Sequence, residues 1–167
     1  MFKKILLFAL ILIPTITFAQ ESQRIAYFNS AEVITAMPEY AAMSDSLQRQ
    51  ADIFRAEMEV LNEEYTKKVT AFQQQQDTLV ESIRVRRLQE IQDLDERAQT
   101  FQMQARQSAE QLQQSLFVPI QEKVMKAVSD VGTENQYTYI LDAGSLLYVS
   151  PQGLDATSLV KKKLGLQ

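Results

Sequence analysis

The chain has 167 residues, a formal net charge of -4, and neither cysteine nor histidine. Disulfide bonds, a cysteine nucleophile and a Ser-His catalytic pair are therefore excluded, and an acidic chain is a poor general binder of nucleic acid. The composition thus favours a protein that acts through binding or assembly rather than through catalysis.

The N-terminus has the pattern of a secretory signal peptide. Lys3 and Lys4 precede the apolar run 5–13, and small residues lead up to an expected cleavage site after Ala19. An uncleaved membrane anchor is the alternative, but the run is shorter than the roughly 20 residues that a spanning helix needs. The sequence therefore predicts an exported protein.

A short strand is predicted at 24–29, where the residues are apolar and partly aromatic. Asn29 or Ser30 can cap a short helix through Ala36, and Pro38 suits the first turn of the next helix. From there no proline or glycine occurs until Pro119, so a very long helical segment is expected.

Within this segment apolar residues recur with the heptad spacing of a coiled coil. The first series is Leu47, Ala51, Phe54, Met58, Leu61, Tyr65 and Phe72, and the second is Ile91, Leu94, Ala98, Phe101, Ala105 and Leu112. The phase is lost between the two series, which predicts a turn at about 75–82 and an antiparallel hairpin with Met58 near Phe101. A single uninterrupted helix in a dimer or trimer is the alternative.

The pattern changes after Pro119. Apolar residues continue as an amphipathic helix end, which Gly132 is placed to terminate. Two strands are then predicted at 137–142 and 146–149, with a turn between them, and Asp155 can cap a last short helix.

These elements predict an α+β fold that is mainly α, in which a long antiparallel helical hairpin is inserted in a small β body. The expected units are a signal peptide at 1–19, a body formed by 20–38 plus 119–167, and a hairpin arm at 39–118. A thin sheet with open edges and an arm with little core of its own both favour a homo-oligomer.

The chain resembles the Skp/OmpH family of periplasmic chaperones over its whole mature length. The resemblance rests on the strand 25–29, on Met37-Pro38-Glu39-Tyr40 before the arm, on 139–144, and on Leu147-Tyr148-Val149. The order of strand, Gln-rich hairpin, strands and short helix is also that of the family.

The resemblance implies a homotrimer with a small barrel-like body, located in the periplasm. Its three hairpins would enclose a cavity that holds unfolded outer-membrane proteins without ATP. Well-known members are strongly basic, whereas this arm carries 14 acidic and 9 basic residues. Strong binding to anionic lipid along the whole arm is therefore not expected.

Client binding requires apolar surface that the hairpin does not use for itself. The candidates are the apolar residues off the heptad series, namely Ile53, Val60, Val69, Val80, Val85 and Met103. Ile53 and Val60 share one helix face, and the flexible side chain of Met103 suits varied contacts. The alternative is that these residues pack at the flank of the helix seam.

Basic residues gather near the predicted tip of the arm, and they are Lys67, Lys68, Arg84, Arg86 and Arg87. They could steer acidic clients or make weak contact with an anionic membrane, or they could simply keep the tip soluble. The acidic residues Asp93, Asp95 and Glu96 are expected to be surface charge rather than metal ligands. No cofactor or metal is expected.

The leading hypothesis is an ATP-independent holdase of the cell envelope. The runner-up is a structural coiled-coil spacer or adaptor whose arm docks one fixed protein partner. Ser158-Leu159-Val160-Lys161 fits the S-x-x-K spacing, but the companion motifs of such enzymes are missing, so we interpret it as the start of an amphipathic helix.

Overall fold

The computed structural model of the chain describes residues 23–166. These residues form helices and a small sheet in the order β1 Ile25–Phe28, α1 Ser30–Thr35, α2 Pro38–Gln75, α3 Glu81–Glu134, β2 Tyr139–Asp142, β3 Leu154–Asp155 and α4 Thr157–Lys163. Most of α2 and α3 makes up the arm, and the strands, the short helices and the C-terminal end of α3 make up the body. The predicted α+β class is confirmed.

The two long helices, α2 and α3, form the predicted antiparallel hairpin. With 38 and 54 residues they are about 57 and 81 Å long. Phe54 and Phe101 pack edge to face with ring centroids 5.8 Å apart, one helical turn from the contact predicted for Met58. The chain turns at 76–80, within the predicted interval, so the single uninterrupted helix is ruled out.

Helix α3 continues through Pro119 and ends later than the sequence indicated. The prediction that Gly132 terminates it is wrong: the helix runs to Glu134, and Gln136 adopts the left-handed conformation with φ of 56°. A Cβ at position 132 would lie 3.5 Å from Ile140, so this glycine packs against β2. Because α3 has no break at Pro119, the arm and the body share one helix.

The sheet has the order β2-β1-β3, and both pairings are parallel. The predicted strand at 146–149 is wrong, because a short 3-10 turn at Ala143–Ser145 carries the chain away from the sheet. The side chain of Asp142 accepts the Gly144 N–H at 3.1 Å and stabilises this turn. The third strand is instead Leu154–Asp155, since a parallel partner of β1 needs a longer connection than a hairpin turn.

The core of the body is built from β1 and the helices packed around it. Its buried residues are Ala26, Phe28, Val33, Met37, Met43, Ile120, Val124, Ala127, Val131, Ala156 and Val160. Four of them come from α3 between residues 120 and 131, at the spacing of one helix face. The end of the arm helix is therefore also the central helix of the body.

Polar contacts fix the ends of the strands around this core. The Thr157 hydroxyl accepts the Asn29 N–H at 3.0 Å, and the Ser30 hydroxyl donates to Asp142 at 2.6 Å. This hydrogen bond lowers the pKa of Asp142, because it stabilises the charged carboxylate. Strands β1 and β2 are thereby tied to α1 and α4.

Replacing Ile120 with Ala should lower the free energy of unfolding by about 2–5 kcal/mol, the usual cost of removing a buried Ile side chain. Ile120 is 2% exposed, whereas Met125 on the same helix is 65% exposed. Urea denaturation at fixed protein concentration measures the change, with Met125→Ala as the matched control. Equal losses in the two variants would contradict the assignment of Ile120 to the core.

Candidate functional site

The apolar residues predicted to bind clients are mostly exposed on the arm. Val69 is half-buried, and the other five are exposed, with Ile53 at 67%, Val60 at 59% and Met103 at 65%. Within the single chain these five side chains are not taken up by packing against the partner helix. They are therefore available for contact with another molecule.

The hairpin separates these residues into two groups. Ile53 and Val60 lie on α2 and Met103 lies on α3, at the level of the Phe54–Phe101 contact in the middle of the arm. Val80 and Val85 lie beside the turn at the tip instead. The sequence predicted that the six residues lie on the arm. The antiparallel pairing of the helices shows that Ile53, Val60 and Met103 lie at one level and that Val80 and Val85 lie at the tip.

A groove of about 460 Å³ runs between α2 and α3 in the middle of the arm. It is lined by Glu57, Leu61, Asp93, Glu96, Arg97, Thr100, Phe101 and Gln104. Leu61 is buried and Phe101 half-buried, whereas the three carboxylates are exposed. From the sequence, Asp93 and Glu96 were expected to be surface charge, and their proximity to Glu57 was not predicted. All three lie beside residues of the heptad series, and this position could have indicated that they line one groove.

Each basic residue near the tip has a partner within the hairpin. Lys68 and Arg86 both contact Glu90, at 2.9 and 3.7 Å, and the hydrogen bond from Lys68 lowers the pKa of Glu90. The remaining contacts are Lys67 with Glu63 at 3.8 Å, Arg84 with Glu81, and Arg87 with the Gln75 side chain at 2.9 Å. Contact of these cations with a membrane stays a prediction.

The body exposes apolar side chains along its thin sheet. Tyr139 and Leu141 project from β2, Leu154 lies on β3, and both Leu147 and Tyr148 in the connecting loop are largely exposed. Strands β2 and β3 are the two edges of the described sheet. Exposed apolar side chains at an open edge are typical of a surface that another chain covers.

The acidic residues and the S-x-x-K spacing noted in the sequence can both be located in residues 23–166. No group of three or more acidic side chains in this range is placed to hold a metal ion, and none of its helices is long and apolar enough to cross a membrane.

Lys161 of the S-x-x-K spacing pairs with Glu32 of α1 at 2.6 Å. This lysine therefore ties α4 to α1. The predicted signal peptide at 1–19 lies outside the described residues.

Comparison with known proteins agrees with this geometry. A model of the family described as "Outer membrane protein (OmpH-like)" matches residues 24–164, which is most of the chain. The chain belongs to the OmpH-like family. The predicted family resemblance is therefore confirmed, and it covers both the arm and the body.

Two individual relatives extend this result. Chaperone protein Skp of Vibrio cholerae is 29% identical over 143 residues, which cover 80% of this chain and 79% of that protein. The crystal structure of an OmpH-like protein from Caulobacter crescentus superposes with a TM-score of 0.73 at 14% identity, over 85% of this chain and 83% of that one. The structural match supports the fold.

Hydrogen exchange should be much faster at the tip of the arm than in the body. The tip segment comprises the turn at 76–80 and the helix ends beside it, about residues 70–90, and the body segments for comparison are β1 and 120–131. The tip has exposed side chains and few buried contacts, whereas the body segments contain the core. Hydrogen exchange followed by mass spectrometry measures this gradient. Uniform protection along α2 and α3 would contradict an arm whose tip lies away from the core.

Proposed function

We propose that the protein is an ATP-independent holdase chaperone of the periplasm that binds unfolded outer-membrane proteins and prevents their aggregation. The observation that carries the proposal is an OmpH-like arm that leaves large apolar side chains exposed along its length. A holdase needs apolar surface that it does not bury itself, because that surface must be free for an unfolded chain.

The distribution of these side chains supports weak and exchangeable contacts. Along the two helices, polar and charged residues separate Ile53, Val60 and Met103 from one another. Single apolar contacts contribute little each, and an unfolded client can exchange one for another. The Val80 and Val85 side chains extend the same kind of surface to the tip.

A homotrimer is part of the proposal. Exposed Tyr139, Leu141 and Tyr148, together with the open sheet edges, provide surface for contact with further copies of the chain. Three arms projecting from such a body would enclose a cavity for the client. Export to the periplasm agrees with the signal-peptide pattern at 1–19 and with the family to which the chain belongs.

The protein should suppress aggregation when an unfolded outer-membrane β-barrel protein is diluted from urea into buffer without nucleotide. Suppression should saturate near three subunits per client, because one trimer would hold one chain. Light scattering against the subunit ratio measures this. A structural spacer should instead leave scattering unchanged at every ratio.

Replacing Ile53, Val60 and Met103 together with Ser should weaken client binding roughly tenfold, because three exposed apolar contacts are removed. Fluorescence anisotropy with a labelled unfolded client measures the change, and analytical ultracentrifugation checks that assembly is kept. A control replaces two other exposed apolar residues of α3, Val118 and Met125, with Ser, outside the middle of the arm. Undiminished affinity in the triple variant would rule out a binding role for these three residues.

A further inference from the structure

The groove in the middle of the arm combines an apolar floor with a rim of carboxylates. Leu61 and Phe101 form the floor, and Glu57, Asp93 and Glu96 stand above it with Arg97 as the one cation among the lining residues. The charge of the groove is therefore negative. No residue of the tip lines it, so it is separate from the basic cluster around Lys68.

These three carboxylates differ from the acidic residues of the arm that form ion pairs. Asp52, Glu63 and Glu90 each pair with a basic side chain of the hairpin. Between residues 23 and 166, by contrast, no Lys or Arg nitrogen lies within 4.0 Å of the Glu57, Asp93 or Glu96 carboxylates. Their negative charge is thus available to a cation from another molecule.

Exposed apolar side chains continue the groove on the α2 side. Ile53 lies four residues before Glu57 and Val60 three residues after it, so apolar and acidic side chains alternate along one helix face through Glu64. This stretch is about 17 Å long at the rise of an α-helix, which matches roughly five residues of extended chain. On α3, Met103 follows the groove residue Thr100 by three positions.

We propose that this groove selects unfolded polypeptide segments in which Lys or Arg stands next to apolar residues. The aliphatic stem of such a side chain would lie on the Leu61–Phe101 floor while its charged end meets the carboxylates. Neighbouring apolar residues of the segment would contact Ile53 and Val60. An acidic segment is repelled by the same carboxylates. The inference rests on the proposed chaperone function and names the chemical class of segment that the arm prefers.

The test uses three labelled peptides of equal length and apolar content, carrying two Lys, two Gln or two Glu at the same positions. Fluorescence anisotropy at low and high salt measures their affinities for the purified protein. We expect the Lys peptide to bind best, and only its affinity to fall steeply with salt. Neutralising the groove with Glu57→Gln, Asp93→Asn and Glu96→Gln should lower the affinity for the Lys peptide roughly tenfold, since three exposed charge contacts are lost.

A matched control changes the net charge equally with Glu59→Gln, Asp95→Asn and Glu110→Gln, at acidic residues outside the groove. Binding of the Lys peptide should survive in this control. Equal affinities for the three peptides would overturn the groove proposal, and so would equal losses of Lys-peptide affinity in the groove variant and the control variant. In either case, suppression of aggregation by the unmodified protein would still support the chaperone function. If the protein neither suppresses aggregation nor binds any peptide, both proposals fail.

Discussion

The burial of one face at the C-terminal end of α3 is the interaction on which the rest of the structure depends. Ile120, Val124, Ala127 and Val131 recur every three or four residues, and each is at most 4% exposed. They pack with residues of β1, α1 and α4 in a single core. Because the same helix forms half of the arm, this core orients the arm as well as stabilising the body.

Pro119 lies at the start of this buried face. A proline in a helix interior removes a hydrogen bond and usually kinks or ends the helix, yet α3 continues to Glu134. Burial of the following residues offsets this cost. At the same level the Lys123 ammonium lies 2.5 Å from Glu39 of α2, and this hydrogen bond lowers the pKa of Glu39. The root of the arm is thus held by apolar packing and by an ion pair.

Two helices packed only against each other can each bury a single stripe of side chains. This limit explains why most side chains of the arm are exposed. Between residues 44 and 118, Leu61 and Leu94 are the only buried side chains. The outer faces must therefore stay in contact with water or with another molecule. Near the tip the basic residues pair with acidic ones, which leaves carboxylates unpaired in the middle of the arm. The middle of the arm therefore presents exposed apolar and acidic side chains to its surroundings.

The sequence by itself determined the long helices and the apolar series along the seam, because these depend on local helix preference and on a repeat that recurs over many turns. It favoured the hairpin over a single long helix, and the structure decided between the two. The absence of proline and glycine from 39–118 was sufficient for the arm. Only the tertiary structure decided the end of α3, the parallel sheet with its strand at Leu154–Asp155, and the groove that joins Glu57 to Asp93 and Glu96. Each of these depends on contacts between residues far apart in the chain, which local preference and periodicity do not encode.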